Sequence, residues 1–389
     1  MNRPRLLTTT LVIVLALSGG ARAAAQTAAS VETVPGMPPV TNPANLYSET
    51  TADKVSPALA NVPPRVYVPN VKSHEVYVID PVTMAVVDRY KVGKNPQHVV
   101  PSWDLKTLWV TNNAEGRTDG TLTPIDPITG KPGNEIAVDD PYNMYFTPDG
   151  KSAVVVAEAM KRLDFRDPKT LALQGSVSAP KCGGINHGDF SIDGKYLIMT
   201  CEYSSRMVKI DWRARTVLGY LTLPDRGIPQ DVRVSPEGST FYVADLRAGG
   251  VHLIDGAAFK LTGFIKTGVG THGLYPSRDG TKLYVTNRGF SQIGGKPGVG
   301  KGSVSVVDFA TRKIVATWML PTAGSPDMGN VSVDGKHLWL SGRYDRVVYV
   351  IDTTTGEVIK TIPVGHEPHG LTVWPQPGRY SLGHTGNMR

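Results

Sequence analysis

Residues 338–374 read LWLSGRYDRVVYVIDTTTGEVIKTIPVGHEPHGLTVW, and the order of parts in this stretch decides the fold. A short apolar run, LWLSG (338–342), precedes a second, VYVID (348–352). The V-x-V-x-D alternation of the second has the period of two expected of a strand that buries a face. A third run ends in Pro363, and a fourth runs from His369 to Trp374.

Working outward, the same parts recur along the chain. The first run returns as VYVPN (66–70), LWVTN (108–112), AVVVAE (153–158), YLIMTCE (196–202), FYVAD (241–245) and LYVTN (283–287). The second returns as VYVID (76–80), LTPID (122–126), RLDFRD (162–167), MVKID (207–211), VHLID (251–255) and VSVVD (304–308). Each run therefore has seven copies, and each unit holds four short strands with a D-G or similar turn before the next. A repeat of forty-odd residues with four short strands per unit predicts an all-β, seven-bladed β-propeller. The Asp that ends each second run precedes turn-forming residues, where its carboxylate accepts backbone N–H groups in an Asx turn. Strand His369 to Trp374 has no partners after it, and the first strand, Arg65 to Asn70, has none inside it. Pairing of the N- and C-terminal strands therefore closes the ring and removes the open sheet edge.

Composition agrees. The 389 residues include 41 Gly and 30 Pro, too many for long helices, and 40 % hydrophobic residues, too many for disorder. Two cysteines cannot frame a disulfide-rich scaffold. The N-terminus, MNRPRLLTTTLVIVLALSGGARAAAQT, reads as a cleaved secretory signal peptide over residues 1–25, with basic residues, a short apolar run and Ala-x-Ala sites. Its removal takes Arg3, Arg5 and Arg22 and lowers the formal charge from +7 to +4. The remaining basic residues are scattered, which argues against nucleic acid as a partner. No later apolar segment is long enough for a membrane span. The expected organisation is a signal peptide (1–25), a Pro/Ala/Thr-rich leader (26–64), the propeller (65–375) and a C-terminal tail (376–389), in a secreted or periplasmic protein.

LYVTN at 283–287, LWVTN at 108–112, the ID-x-x-T-G of Ile351 to Gly356 and the PHGLTV of Pro368 to Val373 resemble the YVTN repeats of secreted bacterial β-propellers of YncE-like type. The resemblance covers residues 65 to 375. It implies a propeller whose innermost strands line a central channel. Members of that family include surface proteins, binding proteins and oxidoreductases with sites on the axis.

By this resemblance the innermost strand precedes each D-G turn, and seven equivalent positions converge at one channel mouth. Aligned from the turns, these positions are His98, Asn143, His187, Asp231, His272, Met328 and His369. The register of His272 and His369 is open by one residue, because the turns that follow differ in length. Chance placement of nine histidines among 389 residues puts well under one in seven positions, yet four hold His. Two readings stand at this point. Neutral imidazoles of His98, His187, His272 and His369 bind a metal, copper by preference over iron or zinc. Alternatively, the imidazoles bond backbone groups across the channel.

The ends of the adjacent strands reach the same mouth and carry Glu158, Glu202, Arg247, Arg288 and Arg343. With Asn143, the arginines would bind a small polar or anionic ligand, and Glu202 or Asp231 would act as general base in an enzyme. Cys182 and Cys201 flank one blade at this mouth, and an exported protein favours a disulfide between them over a thiolate ligand. His366 lies close enough in sequence to join the site, and His384 is expected in an exposed tail. G-x-G-x-x-G occurs once, as GVGTHG (268–273), but it leads into a propeller strand and not into a helix; no G-x-x-x-x-G-K-S/T, G-x-S-x-G or C-x-x-C-H occurs, so a nucleotide cofactor, a serine hydrolase site and covalent haem are not expected. The expectation is thus an exported propeller that binds a metal ion or small polar ligand through a His cluster. The alternatives are a copper- or iron-dependent oxidoreductase at the same place and a cell-envelope scaffold with a protein partner.

Overall fold

The computed structural model describes residue 1 and residues 30–116, 118–294, 301–321 and 324–389. The expected signal peptide lies, Met1 apart, outside the described residues. Among the described residues the strands form seven four-stranded sheets, one per blade. The C-terminal strand Thr372–Trp374 is the innermost strand of the first blade, with Arg65↔Trp374, Val66↔Val373 and Tyr67↔Thr372 as partners. The terminal strands therefore close the ring, as expected from the repeat. No helix among the described residues is long and apolar enough to cross a membrane.

The core lies between blades. On the strand Arg65–Asn70, Val66 and Val68 pack with Trp339, Val348 and Val350 of the last blade, while Tyr67 packs with Val99, Leu108 and Val110 of the second. The inner strands are thus buried on both faces, because every blade has two neighbours. The outermost strand Ala85–Lys91 is largely exposed. Burial of each such Val or Leu contributes about 1.5–3 kcal/mol. The Asp residues that end the third strands of the blades do form Asx turns. Asp80 Oδ1 accepts from Val82 N at 2.8 Å, and Asp352 Oδ1 accepts from Thr354 N and Thr355 N, both at 2.8 Å.

Two features of this frame position the site. First, each of the six innermost strands that follow a blade connection starts with a bulge, as between Pro96 and His98 and between Thr271 and Leu274. A bulge sets extra residues against one partner and re-aims side chains. Thr271 pairs with Asn287 as Pro96 pairs with Asn112, and Pro368 bridges Asn70 in the same way. The single row of seven positions read from the sequence is therefore two layers. His272, Asp327 and His369 lie in the outer layer with Tyr142, Asn186 and Gln230. His98, Asn143, His187, Asp231 and Met328 lie one residue deeper.

Second, the chain after Trp374 turns back under the ring. Phe146 N donates to Leu382 O at 3.0 Å, His384 N donates to Met144 O at 2.8 Å, and Arg389 Nη2 reaches Asp189 Oδ1 at 2.6 Å. Tyr380, Leu382, His384 and Met388 are buried. The expectation of an exposed His384 is corrected here, because the innermost strands leave backbone groups at the floor that residues 382–384 pair with. Part of the leader packs on the same face: Leu46 N donates to Pro236 O at 2.7 Å, and Tyr47 Oη to Val234 O at 2.5 Å.

Candidate functional site

The opposite mouth opens on a cavity of about 770 Å³, lined among others by Glu158, Glu202, Gln230, His272, Arg288 and Arg343. Tyr142 is part of its lining, and beneath it lie the axial histidines. The His98 ring is 5.3 Å from His187, 4.9 Å from His369 and 5.2 Å from His384. Donor atoms of His98, His187 and His384 lie within 4.8 Å of one another, and all three residues are buried.

The nitrogens of this cluster differ in what they already bind. His98 Nδ1 faces the Tyr142 carbonyl at 3.0 Å, so it carries a proton. His187 Nδ1 faces Asn186 Oδ1 at 3.1 Å, and that oxygen is identified because it also accepts from His187 N at 2.8 Å. His187 Nδ1 therefore carries a proton too. Burial, reinforced by the neighbouring imidazoles, holds both rings well below the ordinary histidine range, so both are neutral at pH 7. Their Nε2 atoms then bear lone pairs, and these stand 3.3 Å apart.

His272 and His369 are occupied by protein groups. Arg288 Nη2 donates to His272 Nε2 at 2.6 Å, and Tyr142 Oη to His369 Nε2 at 3.2 Å. Their Nδ1 atoms face Asp327, at 3.0 Å from Oδ1 for His272 and 2.7 Å from Oδ2 for His369. Burial lowers His272 to about 4, with Arg288 adding to the effect, and burial lowers His369 to about 3. Burial alone would raise the Asp327 carboxyl, but Arg288, His272 and His369 hold it well below the usual carboxylate range. Arg288 Nε donates to Asp327 Oδ1 at 2.7 Å, and Arg343 Nη1 lies 3.6 Å from Oδ2.

The remaining residues singled out from the sequence divide between cavity and frame. Glu202 lines the cavity, accepting from Asn186 Nδ2 at 2.7 Å and Gln230 Nε2 at 3.0 Å, and burial raises its carboxyl. Asp231 sits deeper, accepting from Arg233 Nη1 at 2.8 Å and Leu274 N at 2.9 Å. Burial opposes its charge, but Arg233 and His384 keep it ionised. Asn143 Nδ2 donates to His384 Nδ1 at 2.9 Å, below the cavity. Arg247 is exposed and donates to Arg226 O at 2.9 Å, away from the cavity lining. Met328 is buried against Tyr275 Oη at 3.0 Å, and His366 stays exposed. Cys182 and Cys201 form a disulfide beside Gly183 and Gly184, which line the cavity.

Compared with known proteins, the chain matches the family description YNCE-like beta-propeller over residues 22–377. The chain belongs to the YncE-like β-propellers. No curated protein sequence matches it. Among solved structures, this YncE-like propeller resembles hydrazine synthase of Kuenenia stuttgartiensis at 19 % identity and TM-score 0.57, covering 72 % of this chain and 91 % of that one. It resembles the dihydro-haem d1 dehydrogenase NirN in complex with DHE at 17 % identity and TM-score 0.58, covering 79 % and 74 %. It also resembles a functionally unknown protein from Desulfotomaculum acetoxidans at 14 % identity and TM-score 0.62, covering 79 % and 98 %. At these identities the likeness is one of fold.

Within this YncE-like frame, sequence reasoning missed three residues at the axis: Asp327, Tyr142 and His384. Asp327 and Tyr142 adjoin positions that were read, and only the bulge register distinguishes them. His384 has no counterpart in the repeat, and its rarity as one of nine histidines was the one available signal.

Proposed function

We propose that this propeller is an exported binding protein that holds one transition-metal ion on its axis, at the foot of a polar ligand cavity. His98 and His187 are the primary ligands, each through Nε2, and His384 is the third. The observation that carries this reading is the 3.3 Å approach of the His98 and His187 Nε2 atoms on the axis, while both Nδ1 atoms face protein oxygens. Two imidazoles bound at about 2.0–2.1 Å to one tetrahedral ion hold their nitrogens about 3.3–3.4 Å apart. His384 joins by exchanging the Asn143 hydrogen bond on its Nδ1 for the ion. Copper is preferred for a neutral imidazole set, with zinc and iron as the other candidates.

Export is supported by the N-terminal apolar run and by the disulfide, which persists in oxidising compartments. In this reading His272 and His369 are not ligands. They fix Asp327, Arg288 and Arg343 at the cavity floor. The test is elemental analysis of protein from an exporting host, with copper, zinc and iron titrated into chelator-stripped protein. Near one equivalent of metal, lost in His187→Ala and kept in His272→Gln, is expected. Metal-free protein that takes up no ion overturns the reading.

A second reading, a copper-dependent oxidoreductase, is favoured by the placement of Glu202 in the cavity wall with Arg288 and Arg343. There Glu202 is the general base and the arginines hold the substrate. Turnover of a small reductant that requires copper and is lost in Glu202→Gln distinguishes it from simple binding.

A further inference from the structure

The residue that follows the second strand of each blade points to what the cavity takes. These strands end at Asn70, Asn112, Ala157, Cys201, Asp245, Asn287 and Gly342. The residues that follow are neutral in three blades (Val71, Asn113 and Leu246), acidic in the third and fourth (Glu158 and Glu202) and basic in the sixth and seventh (Arg288 and Arg343). In a closed seven-membered ring the third and fourth blades lie across the axis from the sixth and seventh. Equivalent positions therefore give the cavity one carboxyl wall and one guanidinium wall.

Each wall is left incomplete. Glu202 is bonded by the neutral amides of Asn186 and Gln230, and neither it nor Glu158 has an ion-pair partner among the described residues. Glu158 is 8 % exposed, lines the cavity, and has its Oε1 buried without a hydrogen-bond partner. Across the axis, Asp327 takes up one of the two guanidinium charges, contacting Arg288 Nε at 2.7 Å and Arg343 Nη1 at 3.6 Å. Glu367 approaches Arg343 from the rim at 3.5 Å, with its side chain 30 % exposed. Arg343 Nε is buried and unpartnered. Each buried orphan of this kind is destabilising until a partner arrives.

We infer that the cavity ligand is a small dipolar molecule, with an ammonium group received by Glu158 and Glu202 and an anionic group received by Arg288 and Arg343. This rests on the cavity being a ligand site, as proposed above, and not on the identity of the axial ion. A simple anion leaves the acidic wall unpaired, and a simple amine leaves Arg343 Nε without an acceptor.

Isothermal titration of the full chain as purified, with metal content measured on the same sample, tests this. The probes are 6-aminohexanoate, hexanoate and hexylamine, which share a carbon chain and differ in charge. The zwitterion is expected to bind at least about tenfold more tightly than either partner. Glu158→Gln should bring it down to hexanoate, and Arg343→Gln down to hexylamine. Equal binding of hexanoate and 6-aminohexanoate to the wild-type protein overturns the inference, as does no binding of the zwitterion. The wild-type comparison does not depend on the variants folding. His187→Ala protein that loses its metal yet keeps the zwitterion preference supports the dipolar cavity on its own. Metal-loaded protein without that preference overturns the cavity inference alone.

Discussion

The Nε2 atoms of His98 and His187 stand 3.3 Å apart on the propeller axis, and each ring has already committed its Nδ1 proton, to the Tyr142 carbonyl and to Asn186 Oδ1. Two acceptors at this distance are relieved by a cation between them, or by a proton on one Nε2 that donates to the other. An ion that binds the folded chain and not the unfolded one raises stability by about 2.7 kcal/mol at a hundred times its Kd. Adding copper(I) or zinc to stripped protein should raise Tm by several degrees and a chelator should reverse it, as followed by differential scanning calorimetry.

His384 contributes from outside the repeat. Its ring is held by Asn143 at 2.9 Å and stacks on Tyr145 with ring centroids 6.1 Å apart. His384→Ala should leave the far-UV circular dichroism of the propeller unchanged and weaken metal affinity at least about tenfold, the loss of one ligand of three. Unaltered affinity would remove His384 from the ligand set.

Acid should destabilise the metal-free protein early. His98, His187, His272, His369 and His384 all have lowered folded pKa values, chiefly through burial, with His272 at about 4 and His369 at about 3. For a depressed histidine the unfolded chain binds the extra proton, so stability is full above about 6.5 and declines below it, by up to about 1.4 kcal/mol per pH unit for each ring. Glu158 and Glu202 are raised by burial and act in the opposite sense, stabilising as pH falls. Five groups against two leave a net loss between about pH 6.5 and 4.5. Urea midpoints of stripped protein should fall steadily across this window, and a flat profile would contradict the neutral cluster.

Asp327 is the charge on which the outer layer depends. Its carboxylate meets Arg288 Nε at 2.7 Å and His369 Nδ1 at 2.7 Å, with His272 Nδ1 at 3.0 Å. Asp327→Asn leaves the buried Arg288 guanidinium without its counter-charge, a loss of about 3–5 kcal/mol for a broken buried pair. Denaturant unfolding should register it, whereas Asp80→Asn, in an exposed turn, should cost well under half as much.

The architecture was legible from strand periodicity alone. Seven copies of an apolar run and a V-x-V-x-D run specify blades, the Asp turns separate them, and the unmatched strands at Arg65 and His369 specify closure. These are local patterns, and a one-residue ambiguity does not change a blade count. The axial site was legible only as an excess of histidine, and its register was not, because the bulge at the start of each innermost strand moves a side chain from one layer to the next. His272 and His369 look equivalent to His98 and His187 in sequence, yet Arg288 and Tyr142 take up their Nε2 atoms.

What the sequence by itself determined is therefore the ring, its seven-fold count and the convergence of rare imidazoles on one axis. Tertiary structure alone decided which nitrogens stay free, that His384 enters from the end of the chain, and that Glu158 and Glu202 face Arg288 and Arg343. Most of those relations join residues far apart in sequence, through hydrogen bonds and charges that exist only once the ring has closed.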